Sequence, residues 1–153
     1  MKILIDIDVI AVAIHYINDK DYSIAKIFID RTKAGEFEVY STQTLLELVK
    51  KWKEKNTMQK ILDFYKRYSY TIPTFEIMNK SKESGIFFEN IVKKLSNKGV
   101  KEEDAALTVI ASLFGLILVT LNRKHLRNKQ IEINNTLRDC GMNEIKILLP
   151  NEI

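Results

Sequence analysis

Asp6 and Asp8 stand at the end of a short apolar run, Ile3, Leu4 and Ile5, and three more oxygen-bearing side chains recur along the chain: Glu47, Asp104 and Asn122. Carboxylates gathered in one pocket repel each other and lose hydration, so a hard cation is the counter-charge that such a set requires. The two histidines and one cysteine form no cluster that would build a structural zinc site. An all-oxygen set suits Mg2+ or Mn2+, which can activate water and steady the leaving oxygen during attack on a phosphodiester.

The elements that would carry these residues can be read from apolar patterning. Residues 2–6 form a fully buried strand, because their apolar residues are consecutive rather than alternating, and this implies a parallel sheet covered on both faces. Residues 9–17 and 22–32 follow as helices, the second with Ile24, Ile27 and Phe28 on one face and a stop near Gly35. A strand at 37–40 leads to Ser41, a cap for a helix with Leu45, Leu48, Val49 and Trp52 at helical spacing.

Further on, the pattern predicts a helix at 58–68, a strand at 70–72 stopped by Pro73, and helical residues 75–95 broken at Gly85. A helix at 102–114 carries Asp104 and a second fully apolar strand covers 116–119. A helix at 131–140 ended by Gly141 and a closing strand at 144–148 complete the reading. Strand and helix in this alternation predict a three-layer α/β architecture, a mainly parallel central sheet flanked by helices, in one domain over residues 1–153. Sites on such sheets form beyond the carboxyl ends of the strands, where Asp6, Thr120 and Asn122 would emerge.

With 153 residues the chain can bury roughly two-thirds of its unfolded surface, enough for one genuine core. Cys140 is the only cysteine, which excludes an intrachain disulfide, and acids at 6 and 8 interrupt what a signal peptide would keep apolar. The expectation is an intracellular, cytoplasmic protein. The longest apolar stretch, residues 105–121, contains Thr108, Ser112, Gly115 and Thr120 and falls short of the ~20 residues of a membrane span.

The net charge of +4 is unevenly placed. Residues 50–70 hold Lys50, Lys51, Lys53, Lys55, Lys60, Lys66 and Arg67 against only Glu54 and Asp63. Residues 121–130 hold Arg123, Lys124, Arg127 and Lys129 with no acid, so the remainder is net acidic. Two basic patches beside an acidic pocket suit a polyanion gripped by its backbone, although each patch alone reads equally as a solvated helix face.

Sequence spacing does not by itself bring positions 6, 47, 104 and 122 together. The opening ILIDIDVIAVAI resembles the first strand of PIN-domain ribonucleases, with Asp6 matching the metal-binding aspartate and Asp8 the second position. Ser41, Thr44 and Glu47 are similar to the segment in which Ser and Thr precede the second acid by six and three positions. The stretch EEDAALTVIASLFGLILVTLNRKHL resembles the third block, an Asp-led helix running through Gly115 into an apolar strand and then Thr120 and Asn122.

The resemblance spans nearly the whole chain and implies a divalent-metal-dependent endoribonuclease, similar in size to the toxins of VapBC-type toxin–antitoxin pairs. It implies Asp6, Glu47, Asp104 and Asn122 as catalytic residues, with Asp6, Glu47, Asp104 and Asp8 on Mg2+ or Mn2+ and Ser41, Thr44 and Thr120 in support. RNA would be the substrate, contacted by Lys51, Lys53, Arg123, Lys124, His125 and Arg127. An antitoxin is an implied partner, and a homodimer through the helices between residues 22 and 68 is expected. Where many members have a fourth aspartate this chain has Asn122, and where others place an acid three residues later it has His125. Asn122 offers a carbonyl oxygen without charge, so a second ion would bind more weakly, with Asp8 standing in.

Plainer readings accompany each residue. Asp6 and Asp8 can cap the helix that follows, Glu47 can be a solvated helix acid, and Asp104 can be a first-turn acid like Glu102 and Glu103. His15 reads as a packed or surface histidine. Trp52 and Tyr65, set among lysines, can stack bases or serve as core. Two other functions compete: a binding module that keeps the fold with weakened metal affinity, and a haloacid-dehalogenase-type phosphatase using Asp6 as nucleophile and Asp8 as general acid.

Overall fold

Ile3, Leu4 and Ile5 are entirely buried in the computed structural model, which describes residues 1–153. They form β1 (Lys2–Ile5), the middle strand of a five-stranded sheet. The others are β2 (Glu38–Thr42), β3 (Tyr70–Ile72), β4 (Ile117–Val119) and β5 (Ile147–Leu148), in the order β3-β2-β1-β4-β5, and every pairing is parallel. The fully parallel sheet follows from the consecutive apolar residues of β1 and β4, which need cover on both faces.

Eight helices supply that cover: α1 (Ile7–Ile14), α2 (Tyr22–Lys33), α3 (Gln43–Val49), α4 (Lys55–Tyr68), α5 (Thr74–Glu83), α6 (Phe88–Asn97), α7 (Glu102–Phe114) and α8 (Gln130–Asp139). Thirty-eight buried hydrophobic residues form a single core cluster. Within it the Tyr65 ring is fully buried and its hydroxyl donates to the Ile5 carbonyl at 2.8 Å, tying α4 to the central strand. Tyr65 is therefore core and offers no stacking face.

The element order matches the sequence reading, with local differences that have physical causes. α1 begins two residues early because Asp6 accepts from the Ile7 N–H at 2.8 Å, and it ends at Ile14 rather than 17. On α2 the buried face is Ala25, Phe28, Ile29 and Thr32, whereas Ile27 is 61% exposed and faces away from the core. Ser41 does not cap α3. The strand runs on through Thr42, whose hydroxyl accepts from the Leu45 N–H at 3.0 Å, while Ser41 points sideways and lies 2.8 Å from Ser69 Oγ and 3.0 Å from Thr71 Oγ1.

The break at Gly85 separates α5 from α6, as expected, and α7 starts and stops where its pattern predicts. Its stop is Gly115 at φ +65°, a left-handed cap that lets the Leu116 N–H return to the Ala111 carbonyl. No helix is long and apolar enough to cross a membrane.

The topology also chooses an end of the sheet. The chain proceeds from β1 to β2 and β3 on one side, then crosses to place β4 and β5 on the other. The reversal between β1 and β4 opens a crevice at the carboxyl ends of those strands, the usual ligand position in open parallel sheets.

Candidate functional site

The register of β1 on β4 places Ile5 opposite Val119, so the next residues, Asp6 and Thr120, leave the sheet side by side. The Asp6 N–H continues the ladder to the Val119 carbonyl at 2.9 Å. Its carboxylate caps α1 with one oxygen and accepts from the Thr120 hydroxyl at 2.9 Å with the other. Asp8, in the first turn of α1, accepts from the Leu121 N–H at 3.3 Å through both oxygens. Parallel topology runs α7 back against the strands, so its first turn brings Asp104 to the same end.

Asn122 closes the arrangement. Its N–H donates to Thr120 Oγ1 at 3.0 Å, its side-chain carbonyl accepts from the His125 N–H at 3.0 Å, and its amide donates to Asp104 at 3.1 Å. An aspartate in that place would set a second negative charge against Asp104, whereas the amide holds the carboxylate by a hydrogen bond. Thr120, fully buried, is the hub of the cluster.

The electrostatics are those of buried, crowded acids. Burial pushes the Asp6 carboxyl up to about 6, and the charges of Asp104 and Glu103 add to this against the Thr120 and Ile7 hydrogen bonds. Burial, then the charge of Asp6, raises Asp8 well above the carboxylate range. Asp104 is raised by burial and by Glu103, while His125 and Lys101 pull it down. The three acids open on a cleft of about 660 Å3 whose walls include Trp52, Tyr16, Lys101 and Asn122.

Other candidates stand apart. Glu47 is exposed, has no hydrogen bond and is not among the residues that line the cleft, although its neighbour Leu48 on α3 is. Thr44, one turn before Glu47 on the same helical face, lines an apolar pocket together with Asp6. Ser41 fastens β2 to β3 and does not reach the acids.

Lys51, Lys53 and Lys124 are exposed. Arg123, in contrast, pairs bidentately with Asp21 at 2.7 and 2.9 Å, and Arg127 pairs with Glu152 at 2.9 Å through two nitrogens. His15 is exposed, and the buried His125 Nδ1 has no hydrogen-bond partner.

Glu103, which the sequence offers as a first-turn acid beside Asp104, lines the cleft with Asp6 and Asp104. One feature escaped the sequence reading. The Asp21–Arg123 pair clamps the start of α2 to the loop bearing Asn122 and links residues 102 apart, which no local spacing announces. Arg123→Ala would leave Asp21, 8% exposed, without its partner. The expected cost is about 1–3 kcal/mol, read as a lower midpoint in denaturant melts with an unchanged slope.

The donor chemistry fits a divalent cation. No three acidic, histidine or cysteine side chains converge closely enough to hold an ion unaided. Mg2+ commonly sits on one or two carboxylates and completes its shell with water and substrate phosphate, which matches an open cleft with Asp6 and Asp104 at its base.

The all-parallel sheet in this order, flanked by helices, is consistent with a PIN-like α/β fold. No protein-family profile and no curated protein matches the sequence. Among solved structures the chain is similar to one from the crystal structure of VapBC2 from Rickettsia felis bound to a DNA fragment from their promoter. The two share 16% identity at a TM-score of 0.57 over 97% of this chain and 98% of that one, which makes the likeness one of fold.

Proposed function

We propose that the protein is a Mg2+- or Mn2+-dependent endoribonuclease acting as the toxin of a toxin–antitoxin pair. The observation that carries this reading is the convergence of Asp6, Asp8 and Asp104 on one cleft at the β1–β4 crevice, each with its carboxyl raised chiefly by burial. The likeness to a VapBC2 chain favours a nuclease over a phosphatase on the same sheet, and it supports a protein antitoxin as partner.

Each residue has a distinct part. Asp6 and Asp104 would hold the ion, which when bound activates water and offsets charge on the phosphodiester. Thr120 orients the Asp6 carboxylate by its hydroxyl, and the Leu121 N–H holds Asp8 against it. Asn122 fixes Asp104 without adding charge, so it positions the acid and is no ligand in this arrangement. Lys51 and Lys53, beside the wall residue Trp52, would grip the RNA backbone. A homodimer through α2 to α4 belongs to the same reading, with Ile27 among the residues it would cover.

The test is incubation of a mixed RNA pool with the purified protein in Mn2+, in Mg2+ and in chelator. Cleavage that requires the ion is the expected result. Binding that is salt-sensitive but indifferent to chelation, with no cutting under either ion, would overturn the nuclease in favour of a binding module.

A further inference from the structure

A second pocket, of about 300 Å3, shares Asp6 and Asp104 with the cleft but is lined by neither Tyr16 nor Trp52. Its lining is mostly apolar, with Leu45, Ile77, Met78 and Phe88 along its length, and the hydroxyl-bearing Thr44 and Thr74 also line it. The Thr74 N–H donates to the Gln43 side chain at 3.2 Å, which fastens the start of α5 to the start of α3 across this pocket. Met78 is 41% exposed, and Phe75, three residues earlier on the same face of α5, is 69% exposed. Met78 thus stands partly in water in a concave site with a strongly acidic end, and Phe75 is exposed on the same helix outside its lining.

We propose that this pocket receives a nucleobase of the substrate strand, flanking the phosphate held at Asp6 and Asp104, and so sets which nucleotide is cut. The inference rests on the nuclease reading and adds a base-binding subsite to it. A strand with its phosphate at these carboxylates must place a neighbouring nucleotide within one residue's length of them, and the pocket begins there. Its volume is at the small end of ligand pockets, ~300–1,000 Å3, with room for one base and its ribose and none for a helix. The apolar faces of Met78 and Phe88 supply a stacking surface, and the threonine hydroxyls supply donors and acceptors for a base edge.

The test uses the full chain labelled with 13C at its methionine methyls, four in all, with the Met78 signal assigned by its loss in Met78→Leu. Each of the four ribonucleoside 5′-monophosphates is added with Mg2+, and ribose 5-phosphate serves as the control without a base. The expected result is an upfield ring-current shift of Met78 with at least one nucleotide and none with ribose 5-phosphate, while Met142, buried elsewhere, stays still. In cleavage assays Met78→Trp, which fills the pocket, is expected to raise KM about tenfold, the scale of one lost stacking contact, and to leave Mn2+ affinity unchanged.

A Met78 signal unmoved by all four nucleotides, or moved equally by ribose 5-phosphate, overturns the proposal and leaves the pocket to a protein segment. Cleavage with an unmoved Met78 would fail the pocket alone, and a shifted Met78 without cleavage would fail the nuclease alone.

Discussion

Asp104→Asn should reduce metal-dependent RNA cleavage by about 10^3-fold or more, equivalent to ~4 kcal/mol of transition-state stabilisation, while the fold stays intact. The side chain keeps its shape, and its amide can turn its carbonyl toward the Asn122 Nδ2 that the carboxylate accepts from at 3.1 Å. What is lost is the charge. An ion held by two carboxylates and its substrate is then left with Asp6 alone, and both affinity and orientation suffer. Calorimetric Mn2+ titration should show the loss of binding directly, with circular dichroism confirming native structure. Undiminished cleavage by Asp104→Asn would remove Asp104 from the site and with it the assignment.

The metal-free protein should melt at a higher temperature at pH 5 than at pH 8. Asp6 holds its proton up to about 6 in the folded state against an ordinary value of 3.8, so folding favours the protonated form. Its contribution is present in full below about 3.8 and is lost as pH rises through about 6. The whole shift corresponds to about 3 kcal/mol, of which at most roughly 1.4 kcal/mol falls between pH 5 and pH 8, and because Asp6 is partly open to the cleft about 1 kcal/mol is the realistic size. Asp8 and Asp104 act in the same direction.

Glu152, held at about 2 mainly by Arg127, works in the opposite sense but only at pH values well below this window. For a domain of this size the difference amounts to roughly 2–4 °C per kcal/mol. Mn2+ should raise the melting temperature most at pH 8 and narrow the gap, and Asp6→Asn should narrow it without metal. A melting temperature in the metal-free protein that rises from pH 5 to pH 8 would show that the acids are not crowded as described.

Asn122 illustrates how an apparent defect can become a fitting part. As a fourth ligand it lacks charge, yet in place it holds Asp104, the Thr120 hydroxyl and the His125 backbone at once. An aspartate there could not donate to Asp104, so the loss of a charged ligand and the gain of a positioning bond come from the same substitution of type.

Local patterning by itself determined the order of strands and helices, the limits of α7, the parallel character implied by β1 and β4, and the end of the sheet at which Asp6, Thr120 and Asn122 emerge. These depend on hydrophobic period and on cap and stop residues within a few positions, which are properties of short stretches of chain. Tertiary structure alone decided the rest. It turned Glu47 to solvent, gave the α3 cap to Thr42 and left Ser41 between two strands. It also took Arg123 and Arg127 out of the basic surface by pairing them with Asp21 and Glu152. The reason is distance along the chain: a side chain's partner 25 or 102 residues away is set by how helices dock on the sheet, and no spacing rule within a helix or strand contains that information.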